Sequence, residues 1–190
     1  MGQIVNSDKS PIMITHKQEP DLWFGNTWTG AAEYCIKKAK ERNESIPSPK
    51  FADGNKIVEF ALKWLGKPFC EGETAQCMNF VRQVLKEAGY NPGVTSKPSD
   101  GITEPMGTGY ANSLAGNDIG LLIKEIDQLQ CGDIVFFRNT YGDWPEGTIT
   151  HVGIYLGNGF FIHRPTYSKP EQKTSFISYG HFKEGRRLYI

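Results

Sequence analysis

The amino-acid sequence predicts an α+β domain in which helices precede a set of antiparallel strands. Two segments between residues 53 and 89 carry apolar residues at helical spacing, and each ends at a glycine. Short strand-like runs separated by turn residues follow from Asp133 to the C-terminus. Helices first and strands afterwards is the element order of α+β proteins.

The bulk composition excludes several classes of partner. The 190 residues are enough for one domain with a hydrophobic core and a small appendage. The 21 basic and 21 acidic residues balance, which leaves no electrostatic footprint for nucleic acid or an anionic membrane surface. No apolar run is long enough to span a bilayer, and the N-terminus lacks the basic start and apolar core of a secretory signal. We therefore expect no nucleic-acid or membrane partner, and the oligomeric state stays open.

The chain is expected to divide near residue 50. Residues 1–50 form an N-terminal extension of unknown role, irregular over residues 1–27 and helical over residues 30–42. Residues 51–190 form the main domain.

The first half of the main domain carries the helix signals. Asp53 is placed to cap a helix that stops at Gly66. A second amphipathic helix starts at or near Cys77 and ends at Gly89. After a turn-rich loop, the segment IGLLIKEIDQL over residues 119–129 indicates a short helix.

The segment HVGIYLGNGFFIHRP, residues 151–165, predicts a β-hairpin with a histidine on each arm. A three-residue loop at 157–159 puts the apolar residues on one face and His151 and His163 together on the other. In this register the two histidines are diagonal partners, and Gly153 leaves open space between the strands. A two-residue loop would place the histidines on opposite faces. The separation of apolar from polar residues favours the first register and a His–His pair.

Three interpretations of this pair remain open. The histidines belong to a polar outer face, bind a metal, or form a catalytic base with the group that orients it. A metal set with Cys70 and Cys77 is disfavoured, because the C-x₆-C and H-x₁₁-H spacings miss the usual zinc patterns. We expect no metal.

Cys77 is the candidate nucleophile, because it begins an amphipathic helix. The unpaired N–H groups of a helix start lower a thiol pKa and bind a developing oxyanion. The alternative is a small buried core residue. Cys35 is expected to be a core residue, and Cys131 is expected to have no functional role. The sequence leaves open whether Cys70 and Cys77 form a disulfide.

Five segments together resemble the NlpC-type cell-wall cysteine peptidases, a branch of the papain-like thiol hydrolases related to CHAP amidases. They are WLGKPF, AQCMNFV, LQCGDIVFF, THVGIYLGNG and FIHRP, and the similarity covers roughly residues 54–165. The resemblance implies a papain-like α+β fold with N-terminal helices, in which the nucleophile helix packs on a central antiparallel sheet. It implies Cys77 as nucleophile, His151 as general base and His163 as the orienting third member, with no cofactor.

The same resemblance implies a peptidoglycan-derived substrate. It suggests hydrolysis of a γ-D-glutamyl–diamino-acid bond in stem peptides. Because the sequence shows no secretory signal, we expect an enzyme that is cytoplasmic or reaches the wall by a non-classical route. Phe69 stands where the family commonly has Tyr, and Gln76 precedes the nucleophile. With Gly153 and Trp144 they are the candidate substrate-binding residues, although Trp144 fits a loop anchor equally well. The alternatives are an acyltransferase of the lecithin:retinol type and a catalytically inactive binding module.

Overall fold

The computed structural model describes residues 4–5, 11–12, 37, 48–67, 77–104, 107–165 and 172–190. It divides the chain into two compact units, Met1–Ser48 and Pro49–Ile190.

The first unit contains a short pair of strands. β1 (Ile4–Val5) and β2 (Pro11–Ile12) pair antiparallel, where the sequence predicts irregular chain. Strands of two residues are too short to show an alternating pattern. The predicted helix over residues 30–42 lies outside the described residues, apart from residue 37, which is helical.

Two helices open the second unit, and both predicted starts are confirmed. α1 covers Gly54–Leu62 and α2 covers Cys77–Glu87. Asp53 caps α1, because its Oδ1 accepts hydrogen bonds from the N–H groups of Asn55 and Lys56 at 3.0 and 3.2 Å.

The helices precede a six-stranded antiparallel sheet, which confirms the α+β class. The strands are β3 (Gly120–Ile123), β4 (Ile134–Arg138), β5 (Ile149–Gly157), β6 (Phe160–His163), β7 (Gln172–Ser175) and β8 (Phe182–Leu188), in the order β3-β8-β4-β5-β6-β7. A four-residue helix, α3 (Phe176–Tyr179), joins β7 to β8. Neither β7 nor α3 was predicted from the sequence.

The predicted helix over residues 119–129 is wrong. β3 occupies the start of this segment, and a 3-10 turn over Ile126–Gln128 follows it. β3 pairs with β8, with Leu122 opposite Arg186. A short apolar run fits a strand or a helix equally well, and pairing with the open backbone of β8 selects the strand.

Both faces of the sheet are covered. One face packs against α1 and α2, and its buried strand residues are Ile134, Phe136, Val152, Ile154 and Ile162. The other face carries a second apolar cluster, in which Tyr179 and Phe182 pack on Val135, Phe137, Tyr155 and Phe161. Alternate positions of each central strand therefore enter different cores.

The arms of the β5–β6 hairpin pair in the predicted register. Ile154 lies opposite Ile162, and Tyr155 lies opposite Phe161. Extending this register places His163 beside Gly153, on the face that also carries the side chain of Phe161.

The hairpin turn differs from the predicted three-residue loop. Asn158 and Gly159 form a two-residue turn with φ values of 53° and 76°, the left-handed pair typical of type I′. Gly157 lies opposite Phe160, and the register shifts by one residue at Leu156. This irregularity at Leu156 restores the arm register that a plain two-residue loop would have broken.

Gly54 allows α1 to approach the turn before β4 closely, and this contact is testable. A Cβ at Gly54 would overlap the carbonyl oxygen of Cys131 and lie 3.0 Å from its carbonyl carbon. We expect Gly54→Ala to lower the free energy of unfolding by about 1–3 kcal/mol, although alanine favours a helix. The measurement is urea denaturation. Asn55→Ala, at an exposed position one residue along, is the control and should change stability by less than about 0.5 kcal/mol. Equal stability of the two variants would contradict this packing.

Candidate active site

Cys77 is brought to the sheet by α2, which packs against β5. It is half-buried and carries a free thiol, not a disulfide. Its sulfur interacts with the backbone N–H groups of Val152, Met78 and Cys77 itself. Because Val152 follows His151 on β5, the thiol lies against the strand that carries the candidate base.

The structure brings His151 and His163 together. Nε2 of His151 lies 2.6 Å from Nδ1 of His163, within hydrogen-bonding distance, and the rings meet edge-on with centroids 4.9 Å apart. The side chains are 4% and 2% exposed, which contradicts the interpretation of the pair as a polar outer face. Because Nε2 of His151 is hydrogen-bonded to His163, Nδ1 is the ring nitrogen that can accept a proton from a thiol.

Gly153 does not leave open space beside the pair, as the sequence suggested. It is buried, and a Cβ here would lie 2.7 Å from Cδ2 of Phe161 and 2.8 Å from the carbonyl oxygen of Ile162. The ring of Phe161 fills the space predicted to be open. Gly153 therefore permits close packing of β5 against β6, and its predicted contact with substrate stays a prediction.

Burial keeps both imidazoles neutral. The pKa of His151 is lowered to about 3, mainly by desolvation and to a smaller extent by repulsion from a protonated His163. Desolvation lowers the pKa of His163 to about 4. The sheet shields both rings from water, which is the medium that would stabilise an imidazolium ion.

Burial also decides the state of the thiol, against the sequence-based expectation. It raises the pKa of the Cys77 thiol to about 11, and the backbone N–H groups of Val152, Met78 and Cys77 offset only part of this rise. The helix start acts in the expected direction, but desolvation is the larger effect. At neutral pH the resting site therefore pairs a neutral thiol with neutral imidazoles.

Two side chains beside these residues, those of Thr174 and Tyr179, were not predicted from the sequence. Oγ1 of Thr174 on β7 lies 2.9 Å from Nε2 of His163. The ring of Tyr179 lies 5.5 Å from that of His151 and 5.2 Å from that of His163. Finding Thr174 from the sequence would have required a prediction that β6 pairs with β7, and no turn motif in the sequence indicates that pairing.

The tyrosines Tyr179 and Tyr141 both lie within electrostatic range of Cys77. Burial, and then the charge of a Cys77 thiolate, raise the pKa of Tyr179 to about 12 against a hydrogen bond from Thr140. The same two causes raise the pKa of Tyr141. Both phenols therefore stay protonated at neutral pH.

A pocket of about 80 Å³ lies beside Tyr141, in the long connection between β4 and β5. Trp144 lines it and is 43% exposed, as is Tyr110. The remaining lining residues are Ile102, Ala111, Asn112, Thr148, Ile149 and Thr150. Trp144 is therefore only partly covered at this pocket, while its carbonyl oxygen accepts a hydrogen bond from Asn139.

The candidate substrate residues Phe69 and Gln76 lie outside the described residues, as does Cys70. Their roles stay predictions. In the part of the chain that the structure describes, no group of three or more His, Cys, Asp or Glu side chains is placed to hold a metal ion. None of the described helices has the length and apolar character needed to cross a membrane.

The family model of the NlpC/P60 family matches residues 66–183, a stretch that contains Cys77, His151 and His163. The chain belongs to the NlpC/P60 family. This match covers more than half of the 190 residues and agrees with the motifs in the sequence.

Curated relatives of the chain include two glutamyl hydrolases. The chain is 26% identical over 151 residues to a Bacillus cereus γ-D-glutamyl-L-lysine dipeptidyl-peptidase, covering 76% of this chain and 38% of that protein. It is 28% identical over 189 residues to a Bacillus subtilis γ-DL-glutamyl hydrolase, covering 96% of this chain and 37% of the relative. The chain thus spans well under half the length of these relatives.

Solved structures support the fold. The NlpC/p60 domain of the peptidoglycan hydrolase SagA matches with a TM-score of 0.50 at 23% identity, covering 72% of this chain and 99% of that domain. NlpC1 from Trichomonas vaginalis matches with a TM-score of 0.53 at 21% identity, covering 77% of this chain and 47% of that protein. At these identities the likeness establishes the NlpC/P60 fold alone.

The raised pKa of Cys77 makes a prediction about its reactivity. We expect iodoacetamide to alkylate Cys77 slowly at pH 7, because little thiolate is present, and the rate to keep rising above pH 9. Peptide mass spectrometry at each pH resolves the individual cysteines. Cys131, an exposed free thiol, is the internal control for reagent activity. Maximal labelling of Cys77 already at pH 6 would show a resting thiolate and contradict this electrostatic description.

Proposed function

We propose that the chain is a cysteine peptidase that hydrolyses an amide bond in peptidoglycan stem peptides, at a γ-D-glutamyl–diamino-acid linkage. Family membership supports thiol-dependent hydrolysis, and two curated relatives are named for γ-glutamyl bonds. The observation that carries the proposal is the buried His151–His163 hydrogen bond, beside a free thiol that contacts the strand of His151. A base held by a third group and aimed at a nucleophile is the triad arrangement.

The reaction begins with proton transfer from Cys77 to Nδ1 of His151. An isolated thiolate or imidazolium is unstable in this desolvated site, but the two formed together attract one another. The N–H groups around the sulfur stabilise the negative charge as it develops. His163 accepts the Nε2–H of His151 and holds that ring in place.

Acyl transfer then proceeds through a thioester. Sγ bonds to the carbonyl carbon, and the N–H groups at the start of α2 stabilise the oxyanion. The C–N bond breaks as the Nδ1 proton of His151 passes to the leaving amine. His151 next takes a proton from water, whose oxygen attacks the thioester carbon. The C–S bond then breaks, the carboxylic acid product leaves, and His151 returns the proton to Sγ, which restores the thiol. These steps balance without a cofactor.

The aromatic pocket beside Tyr141 is our proposed subsite for the substrate next to the scissile bond. Tyr141 connects it to Cys77, since its phenol lies within range of the sulfur's charge. The exposed faces of Trp144 and Tyr110 offer apolar contact, and a volume of about 80 Å³ suits a small group, not a long chain. Phe69 and Gln76 complete the proposed substrate contacts.

The first test of the proposal is hydrolysis of synthetic L-Ala-γ-D-Glu-L-Lys and its diaminopimelate analogue, followed by mass spectrometry. We expect cleavage after the γ-D-glutamyl residue, and a loss of about a thousandfold or more in Cys77→Ala and His151→Ala. Cys131→Ala removes an exposed free thiol that we place outside the site, and it should retain activity. Activity that survives in Cys77→Ala, or disappears in Cys131→Ala, would contradict the assignment of the nucleophile.

A second test concerns the pocket. We expect Trp144→Ala to raise KM about tenfold with kcat nearly unchanged, because it removes a binding surface and leaves the reacting groups in place. Ile126→Ala, an exposed apolar position outside the pocket lining, is the matched control. Steady-state kinetics on the preferred peptide give both constants. An unchanged KM in Trp144→Ala would assign this side chain to loop anchoring instead.

A further inference from the structure

The histidine pair is extended by a fourth group on the neighbouring strand. Thr174 lies opposite Phe161 on β7, which places its side chain on the sheet face of His163. Its Oγ1 is 2.9 Å from Nε2 of His163, while Nδ1 of His163 is 2.6 Å from Nε2 of His151. Both ring nitrogens of His163 are therefore engaged, one by a ring and one by a hydroxyl.

The two hydrogen bonds restrict the protons to two arrangements. In the first, His151 carries its proton on Nε2 and donates to Nδ1 of His163, which carries its own proton on Nε2 and donates to Thr174. In the second, every donor and acceptor is reversed, and Nδ1 of His151 is protonated. Only the first leaves Nδ1 of His151 bare to receive the proton of Cys77.

The charge formed during the reaction favours the first arrangement. When His151 takes the thiol proton, positive charge spreads toward His163 through the 2.6 Å hydrogen bond. The rings are 4% and 2% exposed, so an acceptor supplied by the protein must stabilise this charge. The hydroxyl of Thr174 is placed to be that acceptor.

The ionisable groups around His163 do not replace this acceptor. His151 shares the charge, and Tyr179 meets the ring of His163 at 5.2 Å with a phenol that remains protonated. Arg164, the next residue, is a buried cation. The Cys77 thiolate formed in the same step supplies the balancing negative charge.

We propose that Thr174 is a positioning residue that accepts the Nε2 proton of His163 and so holds the relay Cys77–His151–His163 in its proton-accepting state. This inference rests on the proposed function. In this proposal β7 contributes to catalysis through His163 and not through contact with the substrate.

The kinetic test compares Thr174→Val, which keeps the shape and removes the hydroxyl, with Thr174→Ser, which keeps the hydroxyl. We expect kcat of Thr174→Val to fall about tenfold with KM unchanged, and its acid limb in the pH–rate profile to move to lower pH. The sign follows because loss of an acceptor disfavours the protonated pair. Thr174→Ser should keep both kcat and the position of the acid limb close to those of the wild-type enzyme. A Thr174→Val enzyme with wild-type kcat and acid limb would overturn the inference.

Nitrogen-15 NMR of the wild-type protein decides the same point without any substitution or substrate. We expect both His151 and His163 to be protonated on Nε2 and bare on Nδ1 at pH 7. Protonation of His163 on Nδ1 would overturn the inference even if Thr174→Val failed to fold. Absence of peptide hydrolysis by the wild-type protein would instead refute the proposed function, and the tautomer measurement would still decide the role of Thr174.

Discussion

The hydrogen bond between Nε2 of His151 and Nδ1 of His163 is the contact on which the site depends. It forms because the pairing of β5 with β6 places both side chains on one face of the sheet. A slip of one residue would turn one ring into the opposite core. The irregularity at Leu156 therefore matters to the chemistry, since it reconciles a two-residue turn with the arm register that the histidines need.

Desolvation is the constraint that this geometry imposes. The same sheet that aligns the rings removes them from water, which lowers the pKa of both histidines and raises that of the Cys77 thiol. The start of α2 has the N–H groups expected to favour a thiolate, yet their effect is smaller than that of burial. The site is thus organised to form charge during the reaction and to remain neutral at rest.

The sequence was most informative where local chemistry decides the structure. The Asp53 cap, the start of α2 at Cys77 and the shared face of His151 and His163 all follow from spacing within one or two elements. Features that depend on distant partners were missed or misjudged. β3 became a strand through pairing with β8, the space at Gly153 is filled by a ring from β6, and the burial of Cys77 is a property of the assembled layers. Thr174 reaches the site only through the pairing of β7 with β6.

His151 and His163 form a buried, neutral pair in the resting protein. This neutral state is tested most directly by following the ring signals of both histidines in an NMR titration from pH 8 to pH 3, with His163→Gln used for assignment. We expect that neither ring titrates above pH 5 and that protonation begins as the pH approaches about 4. Titration of either ring with a midpoint near its ordinary value of about 6.5 would show that the pair is not held neutral by burial.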